Sequence, residues 1–202
     1  TMSKGKDLKP HIGIFGRRNT GKSSFINVMT GQEVAIVSEY AGTTTDPVKK
    51  SVEIFGIGPV IMVDTAGIDD TGDLGEKRIR KSMQTISTID CAVLLIAGNR
   101  FGAHEISLIN EFKKHDTPFI IVHNKSDVEA LNAETTGKIA AQTDAVVLGF
   151  STRTKKGFDE VVEAMRQSVP DKSYRYKSLI GDIINDGDYV LLVTPVDSEA
   201  PE

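Results

Sequence analysis

The chain has 202 residues, 39% of them hydrophobic and 26% charged, which is enough to bury the core of one domain. No apolar run approaches the roughly 18 residues of a membrane-crossing helix and no secretory pattern opens the sequence, so a cytoplasmic protein without a membrane partner is expected. A single cysteine, Cys91, excludes an intramolecular disulfide and a cysteine-only metal site within these residues, and a net charge of −4 excludes a strongly basic chain.

Residues 1–9 are polar, with Thr1 ahead of Met2, and read as a disordered lead carrying an expression remnant. Residues 11–16 form a short apolar strand, and 22–29 follow as a helix. The Gly- and Thr-rich stretch 32–47 is a loop. Residues 48–55 and 59–64 read as a hairpin around Gly56-Ile57-Gly58. A helix is expected over 74–86, a continuous apolar strand over 91–97 and a helix over 104–114, whose Ile106, Ile109 and Phe112 share a side. Strands follow at 119–122 and 145–150. Phe158, Val161, Val162, Met165 and Val169 then fall at i, i+3, i+4, i+7 and i+11, an amphipathic helical stripe. Strands this apolar are covered on both faces, as in parallel sheets flanked by helices. The expectation is an α/β domain over 10–170, a doubly wound, mostly parallel six-stranded sheet. Residues 171–202 hold one strand and read as a linker and the truncated start of a second domain.

The charge divides along the same line. Residues 171–202 carry seven acids and three bases, the whole net charge, and residues 1–170 balance at 21 against 21. A neutral body argues against nucleic acid as the primary partner, because phosphate backbones select Lys/Arg-rich faces.

Gly16-Arg-Arg-Asn-Thr-Gly21-Lys22-Ser23 fits the phosphate-binding pattern GxxxxGK[ST], placed between a strand and a helix. Arg18, Asn19, Thr20, Gly21, Lys22, Ser23 and Ser24 then wrap a diphosphate with amides, and the helix N-terminus adds its positive dipole. Lys22 neutralises the β and γ phosphates, and the Ser23 hydroxyl enters a Mg²⁺ shell. Asp64-Thr-Ala-Gly67 ends an apolar strand, placing Asp64 to reach Mg²⁺ through water and the Gly67 amide to hold a γ-phosphate. Asn124-Lys125-Ser126-Asp127 decides the base. The Asp127 carboxylate accepts from guanine N1–H and the 2-amino group, whereas adenine offers neither donor there. Asn124 ties the base loop to the phosphate loop, and the Lys125 stem lies along the ring. The expected ligands are therefore GTP and GDP with Mg²⁺.

These motifs, with Gly42-Thr43-Thr44, resemble those of the Ras-like translation-factor GTPases. Asn19 and Gly42-Thr-Thr-Thr-Asp46 are similar to the branch containing Era, Der and TrmE. That resemblance implies a Ras-like P-loop GTPase fold, nucleotide contacts from Thr43 and Thr44, Thr44 as a Mg²⁺ ligand, and a K⁺ held beside the phosphates by Asn19. Within the branch, Gly16-Arg-Arg-Asn19, Thr43-Thr-Thr-Asp-Pro47 and the segment 179–198 resemble the HydF family, GTPases that mature iron-only hydrogenases. By that resemblance the domain regulates binding of radical-enzyme maturases and apo-hydrogenase, and the parent protein dimerises through the domain beyond 171. An RNA-linked GTPase of the same branch is the alternative. The family's iron–sulfur ligands have no counterpart here, so no cluster is expected in this chain.

Three positions depart from the pattern. Ser151-Thr152-Arg153 stands where Ser-Ala-Lys is usual, so Ser151 and Thr152 are expected to contact the base through backbone amides. Ala41 replaces the usual Pro before Gly-Thr-Thr. Ile68 occupies the place of the water-orienting Gln, so catalysis must draw on other groups. Asn19 with K⁺ and Glu76 are the candidates, since TrmE-like GTPases carry a catalytic acid twelve residues after the position of Asp64. The other reading of Glu76 is a surface position of its helix, among Lys77, Arg78, Arg80 and Lys81. Arg17 and Arg18 suit phosphate screening or partner contact.

Overall fold

In the computed structural model, residues 9–31, 38–40, 48–54, 56–65, 84–170 and 173 are described. Among the described residues seven strands form one sheet: β1 (His11–Phe15), β2 (Ser38–Tyr40), β3 (Val48–Ile54), β4 (Gly58–Asp64), β5 (Cys91–Ile96), β6 (Phe119–His123) and β7 (Val147–Gly149), in the order β2-β3-β4-β1-β5-β6-β7. The four described helices are α1 (Lys22–Thr30), α2 (Ala103–Lys114), α3 (Ala133–Ala140) and α4 (Phe158–Ser168). β4, β1, β5, β6 and β7 are mutually parallel, and the antiparallel hairpin β3–β4 is closed by Ile54 opposite Gly58. This is the mostly parallel α/β architecture expected, with helices packed on both faces. Its seventh strand is β2, three residues paired antiparallel to β3 inside the stretch expected to be a loop.

Side-chain alternation explains why the central strands read as unbroken apolar runs. Ile12, Ile14, Val93, Leu95, Ile120 and Val122 join one core with Phe25, Ile26 and Met29 of α1 and Val161, Val162 and Met165 of α4. The intervening Phe15, Ala92, Leu94, Ile96 and Ile121 join the other, with Leu108, Ile109 and Phe112 of α2 and Ile139 of α3. Each face is locked by an edge-on aromatic pair, Phe25–Phe150 at 5.3 Å and Phe15–Phe112 at 5.1 Å. Cys91 is fully buried in the first core, where burial pushes its thiol up to about 12.

Some expectations lie outside the described residues: the lead 1–8, most of the helix over 74–86, and the segment 174–202. Among the described residues, no helix is long and apolar enough to cross a membrane.

Candidate functional site

Parallel strands present their C-terminal ends on one edge, and there an open α/β sheet binds its ligands. β1 runs into the phosphate loop, β4 ends on Asp64, β6 just before Asn124 and β7 two residues before Ser151. Ile14 is in register with Asp64, so the loop after β1 and the acid ending β4 start side by side.

The loop's path depends on two glycines. Gly16 has φ +143°, and a Cβ there would lie 2.4 Å from the Leu95 carbonyl oxygen. Gly21 has φ +91°, and its Cβ would lie 2.4 Å from Asn124 Nδ2. Neither position admits a side chain without a shift of its neighbour. Gly21 is also the residue from which α1 starts, with no side-chain cap on the helix. The first-turn amides therefore face the cavity beside the loop, as an anion requires.

That cavity, about 340 Å³, is lined by Arg18, Asn19, Gly21, Lys22, Ser23, Ser24, Asp64 and Thr65. Lys22 is buried and donates from Nζ to the Gly16 and Arg17 carbonyls at 2.7 and 2.8 Å. Ser23 Oγ donates to Asp64 Oδ2 at 3.3 Å. Burial raises the Asp64 carboxyl above its usual range, opposed by the charge of Lys22 and the Ser23 hydrogen bond. A hydroxyl and a carboxylate converging on one cavity are a hard-oxygen pair that fits Mg²⁺. Thr65 anchors the strand end, its hydroxyl donating to the Ile14 carbonyl at 2.6 Å.

The base-side residues are joined to the phosphate loop. Asn124 is fully buried; its Nδ2 donates to the Thr20 carbonyl at 2.8 Å, and its Oδ1 accepts from the Thr152 amide at 3.3 Å. Lys125 Nζ donates to the Asn19 carbonyl at 2.8 Å, and Thr20 Oγ1 closes the loop on the Arg17 carbonyl at 2.8 Å. Asn19 and Lys125 hold φ of +64° and +60°, left-handed conformations at the crossing of the two loops. Ser151 Oγ donates to Asp127 Oδ1 at 2.6 Å, so Ser151 acts here through its side chain.

Arg18, Asn19, Thr20, Gly21, Lys22, Ser23, Ser24, Asp64, Asn124, Lys125, Asp127, Ser151 and Thr152 thus gather at one end of the sheet. Thr43, Thr44, Gly67 and Glu76 lie outside the described residues, as does Ile68.

Three side chains in this region went unforeseen in these positions. Arg17 makes a two-pronged ion pair with Glu105 at 2.7 and 2.9 Å, and Glu105, fully buried, also accepts the Gly102 amide at 2.8 Å. The partners are 88 residues apart, and no local pattern announces them. Arg153 pairs with Asp127, and only its opposite charge in the departing Ser-Thr-Arg triplet signals this. Arg100 joins Arg17, Arg18 and Lys125 around a second cavity of about 290 Å³ behind the loop.

Residues 11–125 match the family model described as 50S ribosome-binding GTPase. The chain is 36% identical over 160 residues to the tRNA modification GTPase MnmE of Legionella pneumophila (strain Corby), an alignment covering 77% of this chain and 34% of that protein. Proteins of the same name from other bacteria align at 32–37% identity, and this chain spans about a third of their length. Among solved structures, a variant of Aquifex aeolicus Era bound to GDP·AlF4− superposes with a TM-score of 0.61 at 26% identity, covering 80% of this chain and 57% of that one. Era in complex with MgGDPNP and a segment of 16S ribosomal RNA superposes with the same score, identity and coverage.

These findings correct two expectations. The curated relatives are named for tRNA modification, which overturns the reading as a hydrogenase-maturation domain partnered by radical-enzyme maturases and apo-hydrogenase. A solved neighbour holding ribosomal RNA conflicts with the expectation of no nucleic-acid partner. The physical reason is that a balanced charge count averages over the surface and carries no information on where charges cluster.

Proposed function

The chain belongs to the family of 50S ribosome-binding GTPases, in the branch that holds Era and the tRNA modification GTPases, and from that premise we propose that it is the GTP-binding and GTP-hydrolysing switch domain of an RNA-linked GTPase. The observation that carries the reading is the Asn124 bridge. One buried side chain links the phosphate loop at Thr20 to the 151–153 loop, next to a carboxylate suited to guanine. Phosphate binding and base reading are thereby parts of one rigid unit.

In this proposal Lys22, the α1 amides and the Arg18–Ser24 backbone receive the phosphates, and Asp127 reads the base. Ser23, Thr44 and, through water, Asp64 hold Mg²⁺, which supplies neutralisation of the β and γ phosphates. Asn19 holds K⁺, which supplies charge compensation at the bridging oxygen, the task of an arginine finger elsewhere. Asn19 fits that role by position, because it lines both cavities. Thr43 contacts the nucleotide, the Gly67 amide holds the γ-phosphate, and Glu76 positions the attacking water in the absence of a Gln at Ile68.

Phosphate release from GTP with Mg²⁺, measured in KCl and in NaCl at matched ionic strength, tests the hydrolytic part. Faster turnover in KCl is expected, and Asn19→Ala loses it, on the order of 10²–10³ in rate. Equal rates in the two salts contradict the ion's role. Filter retention of labelled tRNA or 16S ribosomal RNA, with GDP or a non-hydrolysable GTP analogue bound, tests the RNA link. Nucleotide-dependent retention supports it, and no retention in either state contradicts it.

A further inference from the structure

The loop after β7 lays a cation on the carboxylate assigned to reading guanine. Arg153 Nε donates to Asp127 Oδ2 at 2.8 Å, and an Nη2 of the same guanidinium lies 2.8 Å from the same oxygen. Ser151 Oγ takes Oδ1 at 2.6 Å. The Ser151 hydrogen bond, and then Arg153, hold the Asp127 carboxyl below its usual range.

A carboxylate oxygen accepts about two hydrogen bonds. The carboxylate also takes a hydrogen bond from its own backbone amide, and Oδ1, held by Ser151, is the oxygen free of Arg153. Oδ2 takes one hydrogen bond, from Nε, and has the rest of the guanidinium against it, with Nη2 at 2.8 Å, where a second donor would have to approach. Guanine presents two parallel donors, N1–H and the 2-amino group, and needs one site on each oxygen. Ser151 is therefore compatible with a bound base and the observed Arg153 pose is not. The competition is like against like, because N1, C2 and the 2-amino group of guanine are themselves a guanidine fragment, with the donor chemistry of arginine.

We propose that Arg153 is an internal competitor of the base. It occupies the guanine-reading oxygen of Asp127 when the nucleotide is absent and swings out for guanine to dock, which sets the rate of nucleotide capture. The proposal rests on the guanine reading of Asp127. The backbone beneath Arg153 is fixed, with the Lys155 amide on the Ser151 carbonyl at 2.8 Å, the Ser151 amide on the Lys156 carbonyl at 3.1 Å and the Thr154 amide on Ser151 Oγ at 3.1 Å. Only the side chain needs to move, and it is 77% exposed, so water solvates it on either side of the swing. A pair of that exposure is weak, which makes Arg153 a modest competitor and not a block.

Stopped-flow binding of N-methylanthraniloyl-GDP to wild type, Arg153→Lys and Arg153→Ala tests this. The expected result is a Kd lowered roughly two- to five-fold by Arg153→Ala, carried by faster association, with dissociation unchanged because the bound state lacks the pair. Arg153→Lys falls between. In an Asp127→Asn background, measured with the xanthosine diphosphate analogue, Arg153→Ala has no effect. A Kd that is unchanged or raised by Arg153→Ala overturns the competition, as does an equal gain in the Asp127→Asn background. If wild type binds ADP as tightly as GDP, the guanine reading itself fails. A GDP-selective wild type with an indifferent Arg153→Ala variant sinks the competition alone.

Discussion

Asn124 is where the account is most exposed to a single substitution. Asn124→Ala removes the donor from a buried contact, leaving the Thr20 carbonyl, 2.8 Å away, without its partner. An orphaned buried acceptor costs about 1–3 kcal/mol. The second bond, from the Thr152 amide, is long at 3.3 Å and half-buried, so its loss adds under about 1 kcal/mol. The sum is about 1–4 kcal/mol, which lowers the Tm of a domain this size by roughly 2–16 °C. Asn124→Asp separates hydrogen bonding from volume. It keeps an acceptor for Thr152 but turns a carboxylate oxygen toward the Thr20 carbonyl, a buried and unpaired charge, so it should cost more than alanine. Differential scanning calorimetry in the nucleotide-free state measures both. GDP titration should show weaker binding for each, because the phosphate loop loses its tie to the base loop. An aspartate variant more stable than the alanine variant, or an alanine variant within about 1 °C of wild type, refutes the reasoning. Gly21→Ala offers a cross-check: its Cβ would meet Asn124 Nδ2 at 2.4 Å, so its cost should be smaller in the Asn124→Ala background.

Other perturbations have equally defined outcomes. Asp127→Asn should weaken GTP binding and relax the preference against xanthosine triphosphate, whose 2-carbonyl complements the amide; competition titration reads this. Glu105→Ala removes the partner of Arg17 and the acceptor for Gly102; it should cost about 2 kcal/mol, less than a fully buried pair because Arg17 reaches water, and lower the Tm by roughly 4–8 °C. His123 is fully buried at the end of β6, and both ring nitrogens lack a hydrogen-bond partner among the described residues. Burial lowers its pKa below the ordinary 6.5, with Glu129 opposing. The folded state thus binds the proton less readily than the unfolded chain, so stability is full above pH 6.5 and declines as pH falls below it. Urea midpoints between pH 7.5 and 5 should show that decline, and His123→Gln should flatten it.

What the sequence disclosed follows from how local each signal is. The phosphate loop is eight consecutive residues whose spacing is itself the chemistry, and strands such as 91–96 announce themselves because both faces are buried. β2 escaped because three residues are too few for any periodicity. α3 was not foreseen: of its eight residues only Thr135 and Ile139 are buried, and Gly137 lies within it, so Asn132 capping the Thr135 amide was its main clue. The contacts between Arg17 and Glu105 and between Arg153 and Asp127 join distant segments, which no reading by windows detects. The cationic cavity likewise exists only once the loops at 17–20, 97–100 and 125 are brought together.

The central claim, a guanine-nucleotide site built on the Asn124 bridge and read by Asp127, is tested most directly by displacing bound N-methylanthraniloyl-GDP with GTP or ATP at equilibrium. The account predicts displacement by GTP and none by ATP at the same concentration, since guanine brings the Asp127 carboxylate two donors and adenine brings neither. Displacement by ATP at the same concentration as GTP would contradict it.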